Sequence, residues 1–261
     1  MKLSVCGKGG SGKSTVTALL AKHAVNRNQR VLVIDSDDSN TGLSRMLGFE
    51  CPPVPLMSLV GGKSKIKEKM GPGSRLFSEV QIRIKDIPPE YMVQQNGLMQ
   101  VGIGKILQAL EGCACPMGVL SREFLKKLLL EEGEMAIADM EAGVEHFGRG
   151  VVESVDAVLI VVEPSYDSLM MAAKIKDLVA AMKKGVVAAL NKTPSEPVRV
   201  KMKKELASRS IDVIGSIPND PLVTEACWEG AVPDRGEAFD AAGTILDALL
   251  KSHGNQAAKR G

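Results

Sequence analysis

A glycine-rich stretch near the amino terminus carries the residues best suited to chemistry. Residues 7–15 read GKGGSGKST, which fits the pattern G-x-x-x-x-G-K-[ST]. Glycines at this spacing let successive backbone N–H groups turn inward around an anion. Lys13 would then reach the β- and γ-phosphates of a nucleotide, and the Ser14 hydroxyl would take a Mg²⁺ position. The stretch predicts a phosphate-binding loop whose nucleotide-binding residues are Gly9, Gly10, Ser11, Gly12, Lys13, Ser14 and Thr15.

Short apolar runs alternate with helical patterns along the chain, and the loop joins the first such pair, Lys2–Cys6 and Ser14–Val25. Further strand-like runs are Arg30–Asp35, Gly97–Gly102, Met135–Asp139, Ala157–Val162, Val186–Leu190 and Ile211–Ile217. Helical patterns cover Leu120–Leu130, Ser168–Lys183, Val200–Ser208 and Ala238–Leu250. This alternation predicts an α/β, doubly wound, mostly parallel sheet of the P-loop NTPase fold. Ligands of such sheets bind beyond the carboxyl ends of the strands, so the acids and glycines there should converge.

Composition excludes several classes of function. Of 261 residues, 44% are hydrophobic but only 3% aromatic, which predicts an aliphatic core. The net charge of +2 gives no electrostatic footprint for nucleic acid. No apolar run approaches the length of a membrane span, and the chain begins directly with strand and loop. Five cysteines without a secretion signal favour metal or redox use over disulfides. We therefore expect a cytoplasmic protein with neither nucleic acid nor membrane as partner.

The alternation of strands and helices is interrupted once. Residues 49–96 contain three proline- or glycine-rich turns and a run of lysines, and they predict an irregular excursion within one ATPase domain of residues 1–251. Whether this excursion docks a partner is left open by the sequence. The polar residues 252–261 are expected to form a disordered tail.

Two acids follow apolar strands and could serve phosphoryl transfer, which needs a group that orients the attacking water. Asp37 comes just after the strand Arg30–Asp35, although a turn or helix cap is the ordinary use of such an aspartate. Asp139 ends the strand Met135–Asp139, where an acid typically holds Mg²⁺ through water. The Gly143 N–H, four residues on, could sense a γ-phosphate.

Lys8, the second residue of the loop, indicates a particular group of P-loop ATPases. The pattern K-G-G-x-G-K-[ST] resembles the deviant phosphate loop of the nitrogenase iron protein, of the Min and partition ATPases, and of the maturation ATPases of nickel enzymes. The resemblance implies that Lys8 crosses a homodimer interface to the nucleotide of the other protomer. It also implies that Asp37 is the catalytic acid of a first switch, in which Asp38 stands where the group usually has proline.

The same resemblance implies which base is bound and which residues bind it. It implies that adenine of ATP or ADP is held by Asn191, Lys192, Pro218 and Asn219. The guanine-selective pattern N-K-x-D is absent, because Pro194 occupies the place of the acid.

The closest resemblance lies in residues 139–150, DMEAGVEHFGRG, which look like the second switch of the CooC-type ATPases that mature carbon monoxide dehydrogenase/acetyl-CoA synthase. His146 stands where the nitrogenase iron protein has its cluster-ligating cysteine, so a cluster held in that manner is not supported. His146 could be a relay or a ligand, but a structural hydrogen-bonding role is favoured.

Cys113 and Cys115 form a C-x-C pair before the helical run from Leu120. In an extended segment, side chains two apart point to the same side, so both sulfurs could reach one ion. A disulfide between them would close a strained ring. Two thiolates leave a four-ligand shell incomplete, which a twofold dimer would close by symmetry. The alternative is that both cysteines are buried or unused thiols that bind no metal. The nickel-enzyme maturation ATPases have a similar C-x-C at this place, which favours a bound Ni²⁺ or Zn²⁺.

These observations predict a homodimeric, Mg²⁺-dependent ATPase that binds nickel between its protomers and assists its insertion into carbon monoxide dehydrogenase/acetyl-CoA synthase. Two alternatives stay open. One is a partition- or Min-like ATPase that positions a macromolecular partner, and the other is an electron carrier with a cluster bridged by Cys113 and Cys115 of two chains.

Overall fold

A computed structural model of the chain describes residues 1–37, 40–69, 75–104 and 115–258. Its strands are β1 (Lys2–Gly7), β2 (Arg30–Ser36), β3 (Ile82–Arg83), β4 (Val93–Gln95), β5 (Leu98–Gly102), β6 (Leu128–Leu129), β7 (Glu134–Met140), β8 (Ala157–Val162), β9 (Val186–Thr193) and β10 (Asp212–Pro218). Its α-helices are α1 (Lys13–Asn26), α2 (Leu43–Met46), α3 (Leu56–Leu59), α4 (Gly62–Glu68), α5 (Cys115–Lys127), α6 (Glu145–Gly148), α7 (Tyr166–Ala181), α8 (Glu196–Ala207), α9 (Pro221–Trp228) and α10 (Glu237–Ala258). Short 3₁₀ turns occur at Ile84–Asp86, Pro89–Tyr91 and Val151–Ser154.

Within the described residues, eight strands form one sheet in the order β10-β9-β8-β1-β7-β2-β5-β4. Every neighbouring pair is parallel except β4 and β5. The chain winds outward from β1 in both directions, so the strand order reverses beside β1. Ligands of open α/β sheets bind at such a reversal, beyond the carboxyl ends of the strands. The predicted doubly wound, mostly parallel sheet is confirmed.

Aliphatic cores cover both faces of the sheet. In β2, Leu32 and Ile34 belong to one core, and Val31 and Val33 belong to the other. This alternation explains the continuous apolar run, because a strand with both faces covered has no solvent-facing side. Helices α1 and α10 pack on one face, and α5 and α7 pack on the other.

The excursion at residues 49–96 folds onto α5. Ile66, Phe77 and Ile84 of the excursion are buried in the same core as Phe124 of α5. The short parallel pair β3–β6 further joins Ile82 to Leu128, just after α5. The excursion is therefore packed against the helix that begins at Cys115.

Two boundaries differ from the sequence expectations. Helix α5 begins at Cys115, before the predicted start near Leu120, because proline at Pro116 is well tolerated in a first helical turn. Cys115 is therefore helical, and the argument that Cys113 and Cys115 point to the same side of an extended segment does not apply to it. Helix α10 continues to Ala258, whereas a disordered tail was expected from Ser252. The alanines at its end favour helix.

Candidate functional site

The phosphate loop is shaped by glycines between β1 and α1. Gly12 has a φ of +91° and lies at the N-cap of α1, where left-handed backbone strongly favours glycine. A side chain at this position would also collide with the Asn191 amide nitrogen. Lys13 therefore begins the helix, with the positive end of the helix dipole aimed at the loop.

Two side chains from β9 hold the loop in place. The Asn191 side-chain amide donates to the Ser11 carbonyl at 2.8 Å, and the Lys192 ammonium donates to the Gly10 carbonyl at 2.6 Å. Asn191 is buried. These residues were predicted for base recognition; in the structure they also anchor the phosphate loop and line the cavity beside it.

A cluster of oxygens lies beneath the loop. The Ser14 hydroxyl donates to Asp139 Oδ2 at 2.6 Å, and the Asn40 amide donates to Ser14 Oγ at 2.7 Å. Thr17 Oγ1 lies 3.5 Å from the other Asp139 oxygen. Hydroxyl and carboxylate oxygens suit Mg²⁺, which prefers hard ligands and keeps several waters. The residues therefore fit a magnesium ion at the phosphate side of the loop.

Asp139 lies in an unfavourable environment for a carboxylate. Its pKa is raised to about 7, chiefly by burial and also by the neighbouring Asp35 and Asp37 charges, while the Ser14 hydrogen bond and the Lys13 charge act in the opposite direction. A divalent cation would remove this cost by neutralising the acids.

The two lysines of the loop take different positions. Lys13 is buried, and its ammonium lies 3.4 Å from the Lys8 carbonyl that it donates to. Lys8 turns away toward β8, where its ammonium lies 3.0 Å from Glu163 Oε1. Lys192 lies 3.5 Å from the other Glu163 oxygen. Glu163 therefore holds Lys8 within its own chain.

The residues predicted to form the two switches lie at the same edge of the sheet. Asp37 is buried, and its backbone N–H donates to Asp35 Oδ1 at 3.2 Å. The Gly143 N–H donates to the Gly7 carbonyl at 3.4 Å, which places the segment after β7 directly beside the phosphate loop. Asp38 lies outside the described residues.

His146 departs from the expected hydrogen-bonding role. Its side chain is 1% exposed, and neither ring nitrogen has a hydrogen-bond partner among the described residues. Its pKa is lowered to about 3, chiefly by burial and also by the Lys13 and Arg149 charges. The imidazole is therefore neutral at physiological pH.

The cysteine pair is described only in part. Cys113 lies outside the described residues, and Cys115 is the first residue of α5. The Cys115 sulfur is disulfide-bonded in the structure, whereas the sequence favours metal or redox use of the cysteines over disulfides. Metal ligation by this sulfur would therefore concern the reduced chain. Cys6, at the end of β1, is free and buried in the core.

Within the described ranges, no group of three or more His, Cys, Asp or Glu side chains is arranged to hold a metal ion. The helices there are also too short or too polar to cross a lipid bilayer.

Part of the site opens onto a cavity of about 750 Å³. Gly9, Lys13 and Ser14 line one end of the cavity, together with Asp37. Asn191 and the turn after β10, with Pro218 and Asn219, line it as well. The wall continues onto α9. The cavity is thus assembled from elements far apart in sequence, as the convergence of strand ends predicts.

Sequence reasoning missed several residues of this site. Asn40 and Thr17 reach Asp139 and Ser14, Glu163 holds Lys8, and Trp228 stands on the cavity wall. An acid directly after the strand Ala157–Val162 was the available signal for Glu163. Asn40 and Trp228 belong to no pattern that marks them in one sequence.

The fold and the phosphate loop define the class as a P-loop ATPase. Residues 3–233 match the model of the CobQ/CobB/MinD/ParA nucleotide binding domain, and the chain belongs to this family. An uncharacterized ATP-binding protein of Methanocaldococcus jannaschii is 42% identical over 84% of this chain and 88% of its own length. The carbon monoxide dehydrogenase accessory protein CooC of Rhodospirillum rubrum is 34% identical over 97% of this chain and 98% of its own.

Solved structures agree on the fold. The septum site-determining protein MinD of Pyrococcus horikoshii, complexed with Mg-ADP, has a TM-score of 0.71. The match is 18% identical and covers 97% of both chains. At that identity the likeness concerns the fold alone.

Proposed function

We propose that the chain is a Mg²⁺-dependent, homodimeric ATPase that carries nickel for the maturation of carbon monoxide dehydrogenase/acetyl-CoA synthase. The observation that carries this proposal is the 34% identity with CooC along nearly the whole of both chains. The C-x-C pair, whose second cysteine is the first residue of α5, supports it, since soft thiolates suit Ni²⁺ and Zn²⁺.

The proposed roles follow from charge and position. Lys13 and the loop N–H groups bind the phosphates, and Ser14 with Asp139 supports Mg²⁺. Asp37 orients the attacking water, and the Gly143 N–H senses the γ-phosphate. Asn191, Lys192, Pro218 and Asn219 border the base of ATP or ADP. ATP hydrolysis is then coupled to dimerisation and metal delivery.

Metal binding is the sharpest test of this proposal. In the reduced chain, we expect one Ni²⁺ or Zn²⁺ per dimer, because two Cys-x-Cys pairs complete one four-ligand shell. Cys115→Ser should abolish binding and spare ADP affinity, whereas Cys51→Ser, at an exposed free cysteine, should change neither. Binding should weaken at acid pH, because protons compete for the sulfurs.

Equilibrium dialysis at fixed free metal, without nucleotide and with ADP or ATP, measures these quantities together. Linkage requires that metal change ATP affinity by the same factor by which ATP changes metal affinity. One metal per monomer, retained in Cys115→Ser, would refute the shared site.

Dimer formation gives a second prediction. Glu163→Gln removes the ion pair that holds Lys8 in its own chain, at side-chain exposures of 31% and 17%. Partly exposed pairs contribute up to about 1 kcal/mol, so ATP-dependent dimerisation should tighten by up to roughly fivefold. Analytical ultracentrifugation with ATP measures the change.

The control for this prediction is Glu196→Gln, which removes an exposed ion pair with Arg199 on α8. It should leave dimerisation unchanged. Because Lys192 also contacts Glu163, ATP affinity is measured in parallel. Unchanged or weaker dimerisation of Glu163→Gln would show that this contact does not restrain Lys8.

A Min- or partition-like ATPase is the second candidate, because the family to which the chain belongs includes MinD and ParA. Lipid vesicles or DNA should accelerate ATP hydrolysis if this candidate is right. Hydrolysis unaffected by either, together with stoichiometric metal binding, would favour the maturation role.

A further inference from the structure

The chain has one tryptophan, and it stands almost fully exposed on the wall of the nucleotide cavity. Trp228 is the last residue of α9, and 88% of it is accessible to solvent. It lines the cavity with Val223, Thr224 and Cys227 of the same helix. A large indole in contact with water loses the apolar contacts that usually stabilise it, which points to a ligand that covers it.

Helix α9 is apolar in sequence, PLVTEACW, yet none of its residues is buried. Val223 and Cys227 are four residues apart, as are Thr224 and Trp228, so adjacent ridges of the helix face the cavity. Val223 packs against the edge of one core, whereas Thr224 and Trp228 are exposed and Cys227 is only partly buried. The core therefore does not cover these three residues, which line the cavity instead.

Helix α9 is fixed at both ends. The Asp220 carboxylate caps it by accepting from the Leu222 N–H at 2.9 Å, and it also accepts from the Ala238 N–H at 3.0 Å. After Trp228 the chain turns at Gly230, which packs against the Arg45 side chain of α2. These contacts fix the position of α9 and therefore of the Trp228 indole at its end.

The distribution of polar and apolar residues along the cavity indicates how a nucleotide would be oriented in it. Loop N–H groups, Lys13 and Ser14 form the anion-binding end, where phosphates bind. The wall on α9 offers apolar and aromatic surface, and Asn219 of the turn between β10 and α9 lines the cavity as well. A nucleotide with its phosphates in the loop therefore extends its base toward α9.

We propose that Trp228 is a base-stacking residue that selects purine over pyrimidine nucleotides, because a purine covers more of the indole face. The inference rests on the nucleotide-binding part of the proposed function and is independent of metal binding. Stacking on an aromatic residue strengthens binding roughly 5- to 150-fold per base.

The test uses the full chain with ADP and CDP as probes. ADP should quench the fluorescence of the single tryptophan with a midpoint equal to the Kd from equilibrium dialysis. Trp228→Leu should raise the Kd for ADP by roughly 5- to 150-fold and shrink the preference for ADP over CDP. Trp228→Phe should recover most of both, and the KM for ATP should change more than kcat.

Tyr166→Leu is the matched control, since Tyr166 is an aromatic residue 73% exposed that does not line this cavity. It should bind ADP as the unmodified chain does. Quenching that depends on chain concentration rather than on ADP would assign Trp228 to contact between copies and overturn the proposal. Unchanged Kd values in Trp228→Leu would also overturn it, while leaving ATP binding and the metal proposal intact.

Discussion

Asp37→Asn is expected to bind ATP with nearly unchanged affinity and to hydrolyse it about two to four orders of magnitude more slowly. Asp37 is buried after β2 and lines the cavity with Lys13 and Ser14. The amide preserves the size of the side chain but removes the carboxylate that would orient the attacking water. Single-turnover hydrolysis with saturating ATP measures the chemical step apart from binding.

Lys13→Ala provides the contrast to this variant. Lys13 faces the phosphates in the ground state and the transition state alike, so its loss should weaken binding itself. A hydrogen bond to a charged group contributes about 1.5–3 kcal/mol, which corresponds to roughly 10- to 150-fold in Kd. If Asp37→Asn hydrolyses ATP at the normal rate, Asp37 is not the catalytic acid. Asp177→Asn, at an exposed carboxylate on α7, controls for the substitution.

The central fold could be predicted because its signals are local. Strand β2 has each face in a different core, which produces the uninterrupted apolar run Val31–Ile34. The loop before Lys13 carries its chemistry in consecutive residues. Both kinds of pattern are visible without knowledge of distant parts of the chain.

The remaining features depend on contacts between distant residues. Asn40 reaches Ser14 across 26 positions, and Glu163 reaches Lys8 across 155. Helix α9 is apolar without being a core helix, so its sequence gives no sign that it borders a cavity. Helix α5 begins at Cys115 rather than near Leu120, because a first helical turn accepts Pro116.

Asp139→Asn is expected to stabilise the nucleotide-free chain near pH 8 while it abolishes the Mg²⁺ dependence of ADP binding. Burial raises the pKa of Asp139 from 3.8 to about 7. The folded chain therefore holds a proton that the unfolded chain releases, and the free energy of unfolding falls as the pH rises from 3.8 to about 7. The loss amounts to something on the order of 4 kcal/mol and is complete above that range.

Asparagine carries no charge, so the variant should lose this part of the pH dependence while its side-chain oxygen still accepts from Ser14. Urea unfolding across this pH range measures the slope, with Asp177→Asn as the control that keeps it. Adding Mg²⁺ and ADP should stabilise the unmodified chain above pH 7 far more than Asp139→Asn, because the cation neutralises the buried carboxylate. Equal slopes in the two chains, or equal stabilisation by Mg²⁺ and ADP, would show that Asp139 is neither the strained acid of this site nor its magnesium support.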